Sequence, residues 1–573
     1  MPDQSQTSPS AFVCEGGLIK SRSTFIMQPG QALELLNFEP DIEGGYRRIN
    51  GFRKHCNHIV PQTSSSSEKV LMVAFFNNNI IAARGEKIFS SASTELATAI
   101  TSSATMSGSG TITVDSTSGF SSSGTLQIDS EIFTYTGKTS TTFTGVTRAT
   151  GATSAAAHIV DSAVSESWTE RDTGRTNAGK YTFERFNFDG NEKIIVTDGT
   201  NDPTVFNTSF SATDVTESSV EGAKFVTAFK SHMFYAGMSS TPQTLVFSQP
   251  FDEDAFNSGS GAGSIKVDDT IVGMKAFRND LFIFCENRIF KLTGSSSSDF
   301  AITPVTRNIG CINGDTIQEF AGDLIFLGPD GLRTVAGTAR IGDVELGTIS
   351  ANVQSIFDDN LKDSALFESI VIPDKTQYRI FFAKDDVAED NAKGIICVMK
   401  GQNFEFSELR GIKPSATDTF VEAGDVLVLH GGYDGFIHRQ EKGNDFDGTK
   451  VSGRYRSPDL TFGDPGIRKH MQRVIVNYKP ESAINADMFV RYDYEDRNSS
   501  RPAAYPLDSE DVVAIYGTST YGTPTYGGSS EPLLRQSVEG SGFAVALRVN
   551  DNATTAPYSL KGFQLEYQLG ARR

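Results

Sequence analysis

The densest local grouping of metal-competent side chains in this sequence is His55-Cys56-Asn57-His58. Three such groups within four residues could begin a zinc or copper site. In an extended segment, however, His55 and His58 point to different faces, and no second cluster at the usual spacing completes four ligands. The segment reads as structural. His430 and His438 flank the turn at Gly431–Gly435 and could meet across a hairpin, where a packed or solvated pair outweighs a ligand pair. In GNDFDGTK (443–450), Asn444, Asp445 and Asp447 set oxygens ahead of a glycine as a calcium loop does. The alternating ligand pattern and the distal Glu at the twelfth position are missing, so an ordinary turn is expected. No metal and no cofactor is expected.

Enzymatic signatures are equally sparse. No G-x-S-x-G elbow, P-loop or H-E-x-x-H occurs, so serine hydrolysis, nucleotide hydrolysis and zincin chemistry have no anchor. A glycosidase would need two carboxylates about 5 Å or about 6.5–9.5 Å apart, and the many Asp and Glu leave that open. The single Trp, Trp168, weakens both a glycosidase and a lectin, which display aromatic platforms. The expectation is a protein that is not an enzyme. A basic patch (Arg454, Arg456, Arg468, Lys469, Arg473 and Lys479) stands out in an acidic chain. Arg454, Arg456, Arg468, Lys469 and Arg473 are candidates for a subunit interface; charge that protects sheet edges from aggregation explains them equally well.

These residues must be held by β structure. The 573 residues include 53 Gly and 41 Phe but one Trp, a composition suited to short strands and tight turns. The five cysteines (Cys14, Cys56, Cys285, Cys311, Cys397) are far apart and lack disulfide or zinc spacing, so they read as reduced and buried. A net charge of −19 repels phosphate backbones and argues against tight nucleic-acid binding, though not against DNA sliding past. No apolar run approaches the ~18 residues of a membrane span. The start lacks the basic and apolar regions of a secretory signal, so synthesis and retention in the cytosol until assembly are expected.

An apolar strand, a Gly/Asn/Asp turn and a second apolar strand recur along the middle of the chain. RNDLFIFCENRIFKLTG (278–294), AGDLIFLGPDGLRTVAG (321–337) and AGDVLVLHGGYDGFIHRQ (423–440) are the clearest copies. Weaker ones start at 77, 189, 230 and 374, which makes seven. Successive steps of about 40–55 residues are those of β-propeller blades. Asp-Gly pairs at 189–190, 198–199, 330–331, 434–435 and 447–448 mark reversals, because glycine takes positive φ freely. The doubled gap between the first two copies holds a Ser/Thr/Gly-rich stretch with alternating apolar residues (Ile112, Val114; Leu126, Ile128; Ile132, Tyr135), which reads as an inserted β module.

The expected architecture is all-β. An N-terminal arm spans 1–65, and its PGQALELLNFEP segment allows one or two helical turns. A propeller of about seven blades spans 66–448, interrupted by the insert at about 100–165. A C-terminal β-sandwich follows over 449–573, containing a Tyr-Gly loop at Tyr516, Tyr521 and Tyr526.

Three stretches carry a family likeness: 16–52 (GGLIKSRSTFIMQPGQALELLNFEPDIEGGYRRINGF); 269–294 with 308–317 and 324–335; and 460–478 with 556–573 (LTFGDPGIRKHMQRVIVNY, APYSLKGFQLEYQLGARR). In that order they resemble the tail nozzle proteins, tail tubular protein B-like, of short-tailed bacteriophages. The resemblance implies a structural virion component, six copies forming the distal ring of a short tail. It would enclose and gate the DNA exit channel and contact tail adaptor and fibre proteins, with genomic DNA passing without tight binding. The competing expectations are a carbohydrate-binding or glycoside-cleaving propeller and a tail fibre or adhesin component.

Overall fold

The computed structural model describes residues 8–62, 69–176, 179–188, 190–336, 348–361, 366–384, 386–422, 424–481, 484–496, 498–499, 501–508 and 533–572. Nearly all of its regular structure is strand. Six small antiparallel sheets are arranged as a β-propeller. In chain order their first strands are Met72–Phe76, Thr182–Phe188, Phe225–Phe229, Ile271–Phe277, Gln318–Phe320 and Pro414–Glu422. Five have four strands, and the one beginning at Gln318 has three among the described residues.

Each sheet is apolar on both faces, so each must be covered twice, and a ring of wedges does this without exposed faces. Ile81 and Ile88 of the first sheet share a core with Ile194 and Phe206 of the second. Val205 packs with Val226 and Tyr235, Phe234 and Leu245 with Ile283 and Leu292, and Phe284 with Leu324 and Phe326. The ring closes where Val73, Ala82 and Phe89 of the first sheet meet Ala416, Leu429 and Ile437 of the last. The outer strand of that last sheet comes from the N-terminal arm: Phe52–Lys54 pairs with Ile437–Gln440, His438 facing Lys54. A strand that precedes the first sheet thus completes the last one.

Glycine at the reversals behaves as its chemistry requires. Gly199, Gly331, Gly435 and Gly448 all have positive φ, between 84° and 127°. Side chains with a Cβ rarely adopt that region, and glycine does so at little cost.

Strand pairing bears on two expectations. Of the seven copies, the one beginning at 374 does not make a free-standing sheet. Its strands (Leu366–Ile372, Gln377–Ala383, Lys393–Lys400, Asn403–Arg410) form one end of a nine-stranded sheet, which continues through Glu34–Leu36, Val451–Arg456, Val545–Ala553, Asn485–Tyr492 and Tyr505–Asp508. Nor do the strands after 449 make a unit by themselves. In a second, seven-stranded sheet, Ser8–Val13, Phe38–Pro40 and Tyr46–Arg48 of the arm join Ile467–Pro480, Leu533–Ser537, Ser541–Gly542 and Tyr558–Arg572. The two large sheets share one core, in which Phe38, Tyr46, Val474, Tyr558 and Phe563 pack with Tyr455, Val490, Leu547 and Val549. Arm strands of three residues are too short to show a period, which is why the sequence hides this exchange.

The helical turns expected near 29–40 are also absent. Glu34–Leu36 and Phe38–Pro40 are strands, separated by Asn37 at φ 52°. The Asn37 side chain donates to Arg410 O (3.1 Å) and Ser452 O (2.9 Å) and accepts from Arg410 N (2.8 Å). Tertiary bonds to two distant strands outweigh local propensity here.

The inserted module is a sheet of its own, running through Ser107–Thr113, Gly124–Ile128, Glu131–Tyr135, Gly137–Lys138 and Thr142–Thr150, flanked by Ser93–Glu95 and Ala163–Ser165. Leu126, Ile128, Phe133, Phe143 and Val146 form its core.

Candidate functional site: the axial cavity

A cavity of about 270 Å³ lies where the first strands of the blades converge. It is lined from Lys180–Arg185, Val226–Thr227, Met274–Lys275, Gly314–Gln318 and Thr417–Thr419 of five propeller sheets and their entries, and from Ser369–Val371 of the nine-stranded sheet. First strands face the axis, so polar residues interrupting their apolar pattern collect there: Glu184 and Arg185 between Phe183 and Phe186, and Glu368 between Phe367 and Ile370.

The charges cross the axis and bind one another. Lys180 Nζ lies 3.2 Å from Asp315 and closer still to Glu368. Arg185 Nε donates to Phe75 O at 2.7 Å, and its guanidinium pairs with Asp418, whose other bond is from Phe75 N at 2.8 Å. Ser369 Oγ donates to Asp315 O at 2.6 Å and accepts from Gln318 Nε2 at 3.2 Å. Burial pushes the Glu368 carboxyl up to about 8; Lys180 pulls it down and Asp315 adds to the rise, and burial wins. Burial also raises Glu184, against the attraction of Lys275. Burial would lower Lys180, but Asp315 and Glu368 outweigh it and raise its affinity for a proton. Four carboxylates face three cations here, so one acid must hold a proton or find another partner.

The residues singled out by type and spacing lie elsewhere. His55–His58 is the seam between insert and propeller. Asn57 Nδ2 donates to Gln127 O (2.9 Å) and Ala163 O (2.6 Å), Asn57 N donates to Ser165 Oγ (3.0 Å), and His58 O accepts from Trp168 Nε1 (2.9 Å). Cys56 is buried in the core between the first and last blades, and desolvation pushes its thiol up to about 12. Burial, with Arg439 and Lys442 nearby, lowers His55 to about 3. His430 and His438 face each other in register and stack at 4.9 Å, with Phe52 edge-on to both. Among the described residues no group of three or more His, Cys, Asp or Glu is placed to hold a metal ion. In 443–450, Phe446 stacks on Phe52 at 5.3 Å, Asp447 pairs with Lys54 at 3.4 Å and Asp445 accepts from Gly448 N at 2.7 Å.

The five interface candidates are dispersed. Arg454 and Arg456 share Glu34 at 3.6 and 3.9 Å. Arg468 lies over the Phe543 ring at 5.4 Å. Arg473 pairs with Glu566 at 3.5 Å. Lys469 is buried and donates to Phe543 O at 3.0 Å; it serves the chain's own turn and offers no surface, a correction the strand register imposes. Tyr516, Tyr521 and Tyr526 lie outside the described residues.

The axial residues Lys180, Glu184, Asp315 and Glu368 were missed by motif reading, since no spacing links them. The available signal was a charge at an apolar strand's inward position.

No family model and no curated protein sequence matches the chain. Among solved structures it is similar to a quinonprotein alcohol dehydrogenase-like protein from Bacteroides thetaiotaomicron, at 6% identity and TM-score 0.30 over 61% of this chain and 67% of that one. It is similar to the N-terminal domain of Nup159 at 9% identity and TM-score 0.29 (45% and 88%). It is also similar to a phage phi92 endosialidase at 16% identity and TM-score 0.27 (45% and 52%). The propeller itself is given by the pairing of the strands.

Proposed function

We propose that this chain is a structural subunit of the distal ring, or nozzle, of a short phage tail, located in the virion and enclosing a DNA passage between copies. The observation that carries the reading is the interleaving of the chain's two ends. Arm strands between 34 and 48 and strands between 451 and 572 build the same two sheets, and the terminal stretches that carry the resemblance, 16–52 and 460–478 with 556–573, meet in the seven-stranded one. Such a body resists being pulled apart, as a conduit under pressure requires. On this reading Leu366–Arg410 counts as the seventh blade, and the two large sheets are the expected sandwich, built from both ends of the chain. The propeller's own axis is no conduit: about 270 Å³ crossed by ion pairs is far too small for a duplex. DNA therefore runs along an axis shared by several copies, past an acidic wall that does not hold phosphate. The six-fold number, the adaptor and fibre contacts and the gating role come from the resemblance.

Native mass spectrometry of the purified protein tests this. A closed ring, six copies on this reading, is the expected species, and a lone subunit at every concentration overturns it. A second reading, a glycoside-cleaving propeller, is favoured by Glu368, whose pKa of about 8 suits a general acid. Its carboxyl is tied to Lys180 and Thr417, however, so hydrolysis of glycans abolished by Glu368→Gln is the result that reading requires.

A further inference from the structure

Three cations and three carboxylates line the axial cavity: Lys180, Arg185 and Lys275 against Glu184, Asp315 and Asp418. Two of each are matched, Lys180 with Asp315 at 3.2 Å and Arg185 with Asp418. The third of each is not. Among the described residues Glu184 and Lys275 have no ion-pair partner within 4 Å, each other included, although the Lys275 charge is near enough to act on the Glu184 carboxyl. Both side chains are half-buried and border the same space of about 270 Å³.

Their placement follows from the ring. Glu184 is on Thr182–Phe188 and Lys275 on Ile271–Phe277, the first strands of two blades, with Phe225–Phe229 of a third between them. Glu184 reaches that middle strand, where its carboxylate accepts from the Ala228 backbone N–H. A carboxylate accepts several hydrogen bonds and an ammonium donates several, so both keep bonding capacity that faces the cavity. Two opposite charges held half-buried and apart forgo the bonds that would offset their desolvation.

We propose that the axial cavity binds a small zwitterion, an amino acid whose ammonium sits on Glu184 and whose carboxylate sits on Lys275. Two observations select that class. The charges of the lining cancel as they stand, and Glu368 behind Lys180 favours its protonated form. A lone cation or a lone anion would therefore add an uncompensated charge and leave one pole unmatched, whereas a molecule carrying both matches both poles. The volume is below the roughly 300 Å³ at which drug-sized pockets start, which limits the guest to a few heavy atoms between the apolar walls of Met274 and Ile317. The site lies within one chain and does not rest on the ring reading.

Isothermal titration calorimetry of the full chain tests it with glycine, β-alanine and γ-aminobutyrate, which space the two charges progressively, and with ethylamine and acetate, which carry one charge each. At least one of the zwitterions is expected to bind, and neither single ion. Glu184→Gln and Lys275→Met should each weaken that binding about tenfold or more, with melting curves confirming that the variants fold. The exchange Glu184→Lys with Lys275→Glu should restore it, because the guest can turn end for end; a merely structural role would give no such rescue. Heat from none of the probes overturns the proposal and leaves the cavity to water. Ethylamine or acetate binding as tightly as the zwitterions, or zwitterion binding unchanged in both single variants, overturns it too. None of these results bears on the oligomeric state, so the ring reading is judged separately by native mass spectrometry.

Discussion

Two carboxylates buried in the same molecule are driven in opposite directions. Glu368, on the propeller axis, is pushed up to about 8. Glu441 lies where the propeller meets the two-sheet body. Burial would raise it, but Arg379 and then Lys375 outweigh burial and bring it down to about 2. The junction supplies more cations. Arg379, fully buried, reaches both Glu39 (3.4 Å) and Glu441, and its Nη1 donates to Gln440 Oε1 at 3.0 Å. Lys375 also spans Glu39 (2.6 Å) and Glu441, and Arg47 joins Glu39 (3.1 Å) to Glu481 (2.7 Å). On the axis, Lys180 alone serves Asp315 and Glu368. Burial is common to both places, so the number of cations per carboxylate decides which stays ionised.

The largest effect should come from breaking the junction. Arg379→Met leaves Glu39 and Glu441 in a dry seam with Lys375 as their main remaining cation. Removing one member of a buried ionic network costs about 3–5 kcal/mol, and chemical denaturation should show a loss of that size. The arm residue Glu39, Lys375 and Arg379 of the nine-stranded sheet and its turn, and Glu441 at the end of the last propeller sheet meet here, so the variant should also loosen the propeller from the body. Earlier proteolysis within the arm would report this.

Lys180→Met provides the contrast. It removes the axial cation, yet Glu368 already favours its protonated form at neutral pH and has little charge to leave unpaired. A loss below about 2 kcal/mol is expected, smaller than at Arg379. An equal loss would show that Glu368 is ionised in the folded protein and would erase the distinction between the two sites.

Acidity separates the same pair in a third way. Glu441 has a depressed folded pKa, so its contribution is present above about 4.5, the unfolded value, and is lost as pH falls towards 2. Glu368 has a raised folded pKa. Between about 4.5 and 8 the folded state binds the extra proton, so this group erodes stability as pH rises. Glu368→Gln should therefore melt higher than wild type at pH 8 and differ less from it at pH 5. Melting curves at the two values check this.

The sequence disclosed the repeats because each blade hairpin is local: two apolar runs and a turn, with Gly331 or Gly435 at a position a Cβ would strain. It did not disclose the exchange of strands between the chain's ends. Glu34–Leu36 and Tyr46–Arg48 are three residues each, and the pairings that tie them to the far end of the chain, Leu36 beside Arg454 and Tyr46 beside Leu560, span more than 400 residues. Nothing local records such a pairing. The axial site was hidden for the same reason. Lys180 and Asp315 lead into two different propeller sheets and Glu368 lies on the nine-stranded sheet, so only the folded chain brings them within reach of one another. Residues that look chemical in sequence, such as His430 and His438, are neighbours across a hairpin whose rings pack against Phe52.

The smallest effect belongs at the surface. Arg473 pairs with Glu566 at 3.5 Å, but its side chain is 47% exposed and its partner 22%. Water solvates both ions before and after the bond forms, and salt screens what attraction remains. Arg473→Ala should change monomer stability by less than about 0.5 kcal/mol, within the scatter of a denaturation series and well below the loss at Arg379. The two arginines carry the same charge and each bonds a glutamate, so the contrast isolates desolvation. If Arg473→Ala cost as much as Arg379→Met, burial would not be the variable that sets the strength of these pairs, and the opposite shifts of Glu368 and Glu441 would need another cause.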